Sequence, residues 1–131
     1  MERRTTLEKP IREVIFREYL GKCFYCGIEL NNKNFAIDHV YPISRGGTNQ
    51  LSNLVPSCNY CNSRKSNKTI YEFHDFLART FDKKWIMRAS CNYPIYSLED
   101  NGYFMHFYYE YAVSQELWNE NLIRGCIDAS F

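Results

Sequence analysis

Residues 23–67 read CFYCGIELNNKNFAIDHVYPISRGGTNQLSNLVPSCNYCNSRKSN, and the cysteines at either end decide how the rest is read. Cys23/Cys26 and Cys58/Cys61 each have C-x-x-C spacing, in which two thiolates on one tight turn grip a single ion. Two such pairs complete a tetrahedral zinc site. Thirty-one residues separate Cys26 from Cys58, longer than in a compact zinc ribbon, so the ion would staple the ends of an intervening loop. Four thiolates leave no open position for water, which makes such a site structural. Iron–sulfur ligation or redox use of the same pairs is the competing chemistry. Cys91 and Cys126 stand alone and are expected to be buried thiols rather than ligands.

Working outward, the 131 residues suit one domain, 1–131, with a core motif at 23–67 and an extension over 70–131. No run of about 18 apolar residues is present, so no membrane span is expected. The charged start MERRTTLEKP has no apolar stretch of the secretory kind. The expected compartment is the cytoplasm, where cysteines stay reduced and paired spacing favours a metal over disulfides. The net charge of +1 hides an asymmetry: residues 1–70 carry eleven Lys and Arg against six Asp and Glu, and residues 71–131 carry five against nine. The first half is therefore the one to meet a polyanion such as nucleic acid.

KPIREVIFREYLGK (9–22) predicts a helix, with Pro10 in its first turn, Ile11, Val14, Ile15 and Tyr19 on one side, and Gly21 at its stop. NFAIDHVYP (34–42) and NLVPSC (53–58) are short extended stretches, joined by the loop sequence SRGGTNQ. NYCNSRKSN (59–67) can be helical. Thr69 followed by Glu72 forms a capping-box pattern that would start a helix over 70–81, with Ile70, Phe73, Phe76, Leu77 and Phe81 on its apolar side. Asn101-Gly102, between aromatic stretches, signals a β-hairpin turn. Ser114 would cap a last helix over 115–124, closed by Gly125.

Inside the stapled segment, Asp38 and His39 are adjacent in an otherwise apolar strand, where neighbours point to opposite faces. Asn53 follows fourteen positions after His39, and Asn62 nine after that, immediately beyond Cys61. A surface aspartate and a satisfied histidine would be the plain reading of the doublet alone. The whole run, however, closely resembles the HNH endonuclease family: the zinc cysteines, the Asp-His pair, the Gly-Gly loop, the middle Asn and the C-x-x-C-N-x-x-K helix start all match. The resemblance covers residues 23–67. It implies an α+β fold, a zinc-stapled ββα-metal motif preceded by an N-terminal helix and followed by a helix/β-hairpin/helix extension.

By that resemblance, His39 is the general base that takes a proton from the attacking water, a task suited to imidazole. Asp38 and Asn62 are the protein ligands of a catalytic divalent ion, and Asn53 holds the loop and helps to orient the histidine. The family position at 62 is often histidine; asparagine makes the site oxygen-only, which favours Mg2+ or Mn2+. Lys65 matches the family lysine placed to meet a phosphate, and Arg64 and Arg45 are further candidate DNA contacts, which would position the backbone without reading sequence. His74 and His106 are expected to be structural. The aromatic second half is expected to build core or dimer contacts, with base stacking as the competing use.

The expected function is metal-dependent hydrolysis of DNA, with structural zinc and catalytic Mg2+ or Mn2+. The rivals are a zinc-containing nucleic-acid-binding module that does not cut and a purely structural zinc domain. One chain holds one active centre, so a double-strand break needs a homodimer or two sequential nicks. Restriction, mobile-element, phage and junction-resolving roles are all compatible with the sequence.

Overall fold

A computed structural model describes residues 9–99 and 102–119. Helix α1 (Lys9–Glu18) carries Pro10 in its first turn and buries Ile15. Tyr19, just beyond the helix, is buried with it. Val14, expected on the same stripe, is 37% exposed. The chain then turns into the first cysteine pair through Leu20 and Gly21, both at positive φ.

Strands β1 (Ala36–His39) and β2 (Leu54–Ser57) form an antiparallel pair in which Asp38 faces Val55 and His39 faces Leu54. Val40 N–H donates to the Asn53 carbonyl and extends the pairing past the strand ends. Helix α2 (Asn59–Lys65) starts at Cys58, whose sulfur accepts from Cys61 N–H as an N-cap. These three elements are the ββα unit expected from the sequence.

Helix α3 (Ile70–Thr80) opens with the reciprocal capping box: Thr69 accepts from Glu72 N–H, and the Glu72 carboxylate accepts from Thr69 N–H. Ile70, Phe73 and Leu77 are buried. Phe81 is 58% exposed instead of joining the stripe, because it is the C-cap, with φ of 49°. A further helix absent from the sequence reading, α4 (Lys83–Ser90), is capped by Asp82, which accepts from Trp85 N–H.

Strands β3 (Tyr96–Glu99) and β4 (Gly102–Met105) form the expected hairpin, but its register pairs Glu99 with Gly102. Gly102, expected in the turn, instead begins β4 with φ of 109°. Helix α5 (Tyr108–Ser114) corrects the last helix expectation. Ser114 ends this helix rather than capping a following one. Glu110 supplies the reason for the earlier start, since its carboxylate accepts from Phe107 N–H at the N-terminus. The remainder of the expected 115–124 helix beyond residue 119, with Gly125 and Cys126, lies outside the described residues.

One buried cluster joins these pieces, from Ile15 and Tyr19 through the cysteine pairs to Trp118. It is largely aromatic: Phe24 stacks on Tyr109 at 4.5 Å, and Tyr25 meets Phe73 and Phe107 edge-on. The aromatics of the second half thus serve mainly as core. Tyr103, at the hairpin tip, is an exception at 78% exposed. No described helix is long and apolar enough to cross a membrane.

Candidate active site and zinc centre

The four sulfurs of Cys23, Cys26, Cys58 and Cys61 lie within 4.8 Å of one another and all four residues are buried. Cys26 and Cys58 sulfurs are 3.7 Å apart, too far for a disulfide. Four sulfurs at the usual Zn–S distance sit about 3.8 Å from each other in a tetrahedron, so the arrangement fits a zinc ion. The thiols alone ionise unevenly. Burial pushes Cys23 and Cys61 up, whereas hydrogen bonds from the neighbouring thiols pull Cys58 down. A divalent cation is what would let all four exist as thiolates.

The groups around the cysteine cluster come both from the motif and from the elements that follow it. Cys58 N–H donates to Cys23 Sγ at 3.3 Å, but Trp85 Nε1–H on α4 donates to Cys61 Sγ at 3.2 Å. Arg88 of α4 lies over the Tyr60 ring. Burial works against its charge, yet the Cys58 and Cys26 sulfurs outweigh burial and push the guanidinium pKa up. Asn92 Nδ2 donates to the Cys26 carbonyl, and the first amides of α5, Tyr108 and Tyr109, donate to the carbonyls of Tyr25 and Phe24. Gly27 permits this docking, because a Cβ there would lie 2.6 Å from the Tyr108 ring. Cys91, by contrast, is exposed, which corrects the expectation of a buried thiol.

At the end of β1, Asp38 is buried at 4% exposed beside the buried Ile37, and His39 is half-buried. Asp38 Oδ2 accepts from Tyr25 Oη–H at 2.5 Å and lies 3.2 Å from Lys65 Nζ. Burial pushes the Asp38 carboxyl above its ordinary value, opposed by the charge of Lys65 and by hydrogen bonds from Tyr25 and Lys65. Burial likewise lowers the Lys65 ammonium, opposed by Asp38. Lys65 also donates to the His39 carbonyl at 3.0 Å. Its side chain is fully buried, so it is not free to contact a phosphate. Its position on α2 turns it toward the strand rather than the solvent, and this corrects its assignment as a DNA contact.

Asn53 is buried and ties down the loop between the strands. Its Oδ1 accepts from Tyr41 N–H at 2.8 Å, and its Nδ2 donates to the carbonyls of Tyr41 and Thr48. Asn62 is half-buried, and its amide has no hydrogen-bond partner among the described residues. Arg45 pairs with Glu72, and Arg64 pairs with Asp82 and Tyr60, while both arginines keep more than a third of their side chains exposed. His39 Nε2 meets Asn49 Oδ1 at 2.6 Å. Asn49 and Tyr25 were not singled out from the sequence. Asn49 carried only the loop signal of its neighbours, and the position of Tyr25 between two cysteines suggested packing alone.

The other histidines are structural. His74 Nε2 bonds the Met105 carbonyl and its ring stacks on Phe104, fastening α3 to the hairpin. His106 bridges Ser97 and Glu110. That Ser-His-Glu chain ends on a carboxylate already occupied in capping α5, and it fastens the hairpin to that helix.

An antiparallel strand pair with an Asp-His end, packed against a short helix and tied to four clustered cysteines, is the ββα arrangement that the resemblance of residues 23–67 implied. Residues 23–77 match the HNH endonuclease family. Among its relatives is the CRISPR-associated endonuclease Cas9 of Corynebacterium diphtheriae, 40% identical over 47 residues, which cover 35% of this chain and 4% of Cas9. Another is YoqL, an SPbeta prophage-derived protein of Bacillus subtilis described as a putative HNH endonuclease. It is 24% identical over 76 residues, 52% of this chain and 33% of YoqL. The chain therefore spans a third or less of the length of either relative. In a solved structure, the Type II-C Cas9 enzyme from Actinomyces naeslundii, a match covering 92% of this chain and 11% of that one gives a TM-score of 0.51 at 22% identity. This last likeness concerns the fold, and it extends past the 23–77 segment into the C-terminal helices and hairpin.

Proposed function

We propose that this protein is a metal-dependent DNA endonuclease, a single domain over 1–131 in which His39 acts as general base. The observation that carries the reading is the pairing of a histidine fixed at a strand end with a neighbouring carboxylate and an unpartnered amide on α2. Among the described residues, Asp38 Oδ1 has only the long 3.4 Å contact with Lys65, so it retains lone-pair capacity for a cation. Asn62 offers an amide oxygen. Such an oxygen-only donor set fits Mg2+ or Mn2+ better than softer metals. The bound ion would supply Lewis-acid stabilisation of the extra negative charge that develops on the phosphate.

The residues do the rest. His39 accepts a proton from water as its oxygen attacks phosphorus, and the products carry 5′-phosphate and 3′-hydroxyl ends. Asn53 keeps the loop closed so that the histidine is held before substrate arrives. Arg45 and Arg64 remain exposed enough to meet phosphates if DNA displaces their carboxylate partners. Cleavage of both strands would use a homodimer or two successive nicks.

A second reading, DNA binding without cleavage, draws on one observation: Lys65 already neutralises Asp38. Plasmid incubated with the protein and Mg2+ or Mn2+, beside His39→Ala, separates the two. The nuclease reading expects nicking by the native protein and a loss of about a hundredfold or more in the variant. DNA binding with no cleavage under any divalent ion favours the second reading, and equal cleavage by both proteins removes His39 from the chemistry.

A further inference from the structure

The loop that follows β1 ends with an amide aimed at the histidine. His39 Nε2 lies 2.6 Å from Asn49 Oδ1, and the ring has no other hydrogen bond among the described residues. An amide oxygen only accepts, so this contact requires the proton on Nε2. In a neutral imidazole that leaves the lone pair on Nδ1.

Asn49 is not free to wander. Thr48, the residue before it, has its carbonyl held by Asn53 Nδ2 at 2.8 Å. Asn53 also binds both backbone groups of Tyr41. Between these points, Gly47 crosses the Tyr41 carbonyl so closely that a Cβ would lie 1.8 Å from its oxygen. Gly47 N–H in turn donates to the Pro42 carbonyl. The loop is a closed ring with Asn53 as its tie and Asn49 as its tip.

We propose that Asn49 is the positioning residue of His39, holding the Nε2–H tautomer so that Nδ1 is the nitrogen that takes the proton. This rests on the general-base reading above. It also gives Asn53 its part: the buried asparagine acts one step behind, by fixing the backbone that presents Asn49. In the step itself, the water O–H bond breaks and the proton moves to Nδ1. The oxygen forms the new P–O bond while the P–O3′ bond breaks, its electron pair leaving on O3′, which is protonated from solvent. The resulting imidazolium keeps its Nε2–H on Asn49 Oδ1, a contact that strengthens as the ring gains charge.

The test uses the full chain with zinc bound. Long-range 1H–15N correlation of labelled protein in mildly alkaline buffer, with His39→Ala to assign the ring, is expected to show His39 protonated on Nε2. Asn49→Asp, which keeps an acceptor, should retain that tautomer, and Asn49→Ala should give a mixture. Asn49→Ala should also lower kcat for nicking by about tenfold to a hundredfold with DNA affinity unchanged. An Nδ1–H tautomer in the native protein overturns the proposal, as does native kcat in Asn49→Ala while His39→Ala is inactive. Native activity in His39→Ala is a different outcome and overturns the general-base reading itself. Should Asn49→Ala fail to fold, the native spectrum and Asn49→Asp decide.

Discussion

Replacing Lys65 by methionine separates two roles that the sequence could not. The Lys65 side chain is fully buried, its Nζ lies 3.2 and 3.4 Å from the two oxygens of Asp38, and it also serves the His39 carbonyl. Methionine fills similar volume but leaves the Asp38 carboxylate, 4% exposed, with Tyr25 as its remaining partner. Removing one member of a buried pair typically costs about 3–5 kcal/mol, a large share of the roughly 5–15 kcal/mol that holds a domain folded. The cost should depend on pH. Asp38 already has a raised folded-state pKa from burial, and losing Lys65 raises it further. A carboxyl raised above its unfolded value favours folding at pH below that value, and the advantage disappears as pH rises through the folded value. The Lys65→Met deficit should therefore be large at neutral pH and shrink in acid. Denaturant titration at several pH values measures this, and the double variant Asp38→Asn/Lys65→Met should recover much of the loss. A surface phosphate contact would behave otherwise, leaving stability intact and reducing the salt dependence of DNA binding by about one unit of slope. A deficit under about 1 kcal/mol together with that reduced slope would refute the buried-pair argument.

Two further outcomes follow from the zinc centre and the backbone. Cys58→Ser, or chelation of the native protein, should abolish folding as read by circular dichroism, because structural zinc contributes about 10 kcal/mol or more of folding free energy; a folded, metal-free protein would contradict this. Ser66, which ends α2, sits at φ 53° and ψ −126°, a conformation that costs a non-glycine residue about 1–3 kcal/mol. Ser66→Gly should raise stability by about 1 kcal/mol after the added unfolded-state entropy is counted, and a lowered melting temperature would show that the serine side chain contributes more than its backbone costs.

The parts of the fold legible in the sequence were those fixed by local chemistry. C-x-x-C spacing needs only a turn, the Thr69–Glu72 capping box needs only one helix start, and both are present. The errors arose where distant contacts decide. Gly102 lies in β4 rather than in the turn because the aromatic strands pair it with Glu99, whatever the local turn preference of Asn101-Gly102. Lys65 reads as a phosphate contact by the family resemblance because nothing in its neighbours reveals that α2 turns it onto Asp38. Helix α4 was unread although its apolar side includes Trp85, because its eight residues are short and its cap is a single aspartate. Asn49 depends on a loop closed from Asn53, a contact defined only after the strands pair.

These long-range contacts also explain why the four-cysteine motif and the C-terminal elements form one buried cluster. Zinc thiolates carry excess negative charge and gain from N–H donors and a nearby cation. The motif itself supplies the N–H groups of Cys58 and Cys61, whereas Trp85 and Arg88 arrive from α4. The amides that open α5 have no intrahelical acceptors, and they find them in the carbonyls of Phe24 and Tyr25 on the first cysteine turn. Tyr25 then reaches from that same turn to the Asp38 carboxylate. A single residue thus connects the docking of α5 on the first cysteine turn with the orientation of the aspartate beside His39, so loosening α5 should disturb Asp38 without touching any residue of the strand that carries it.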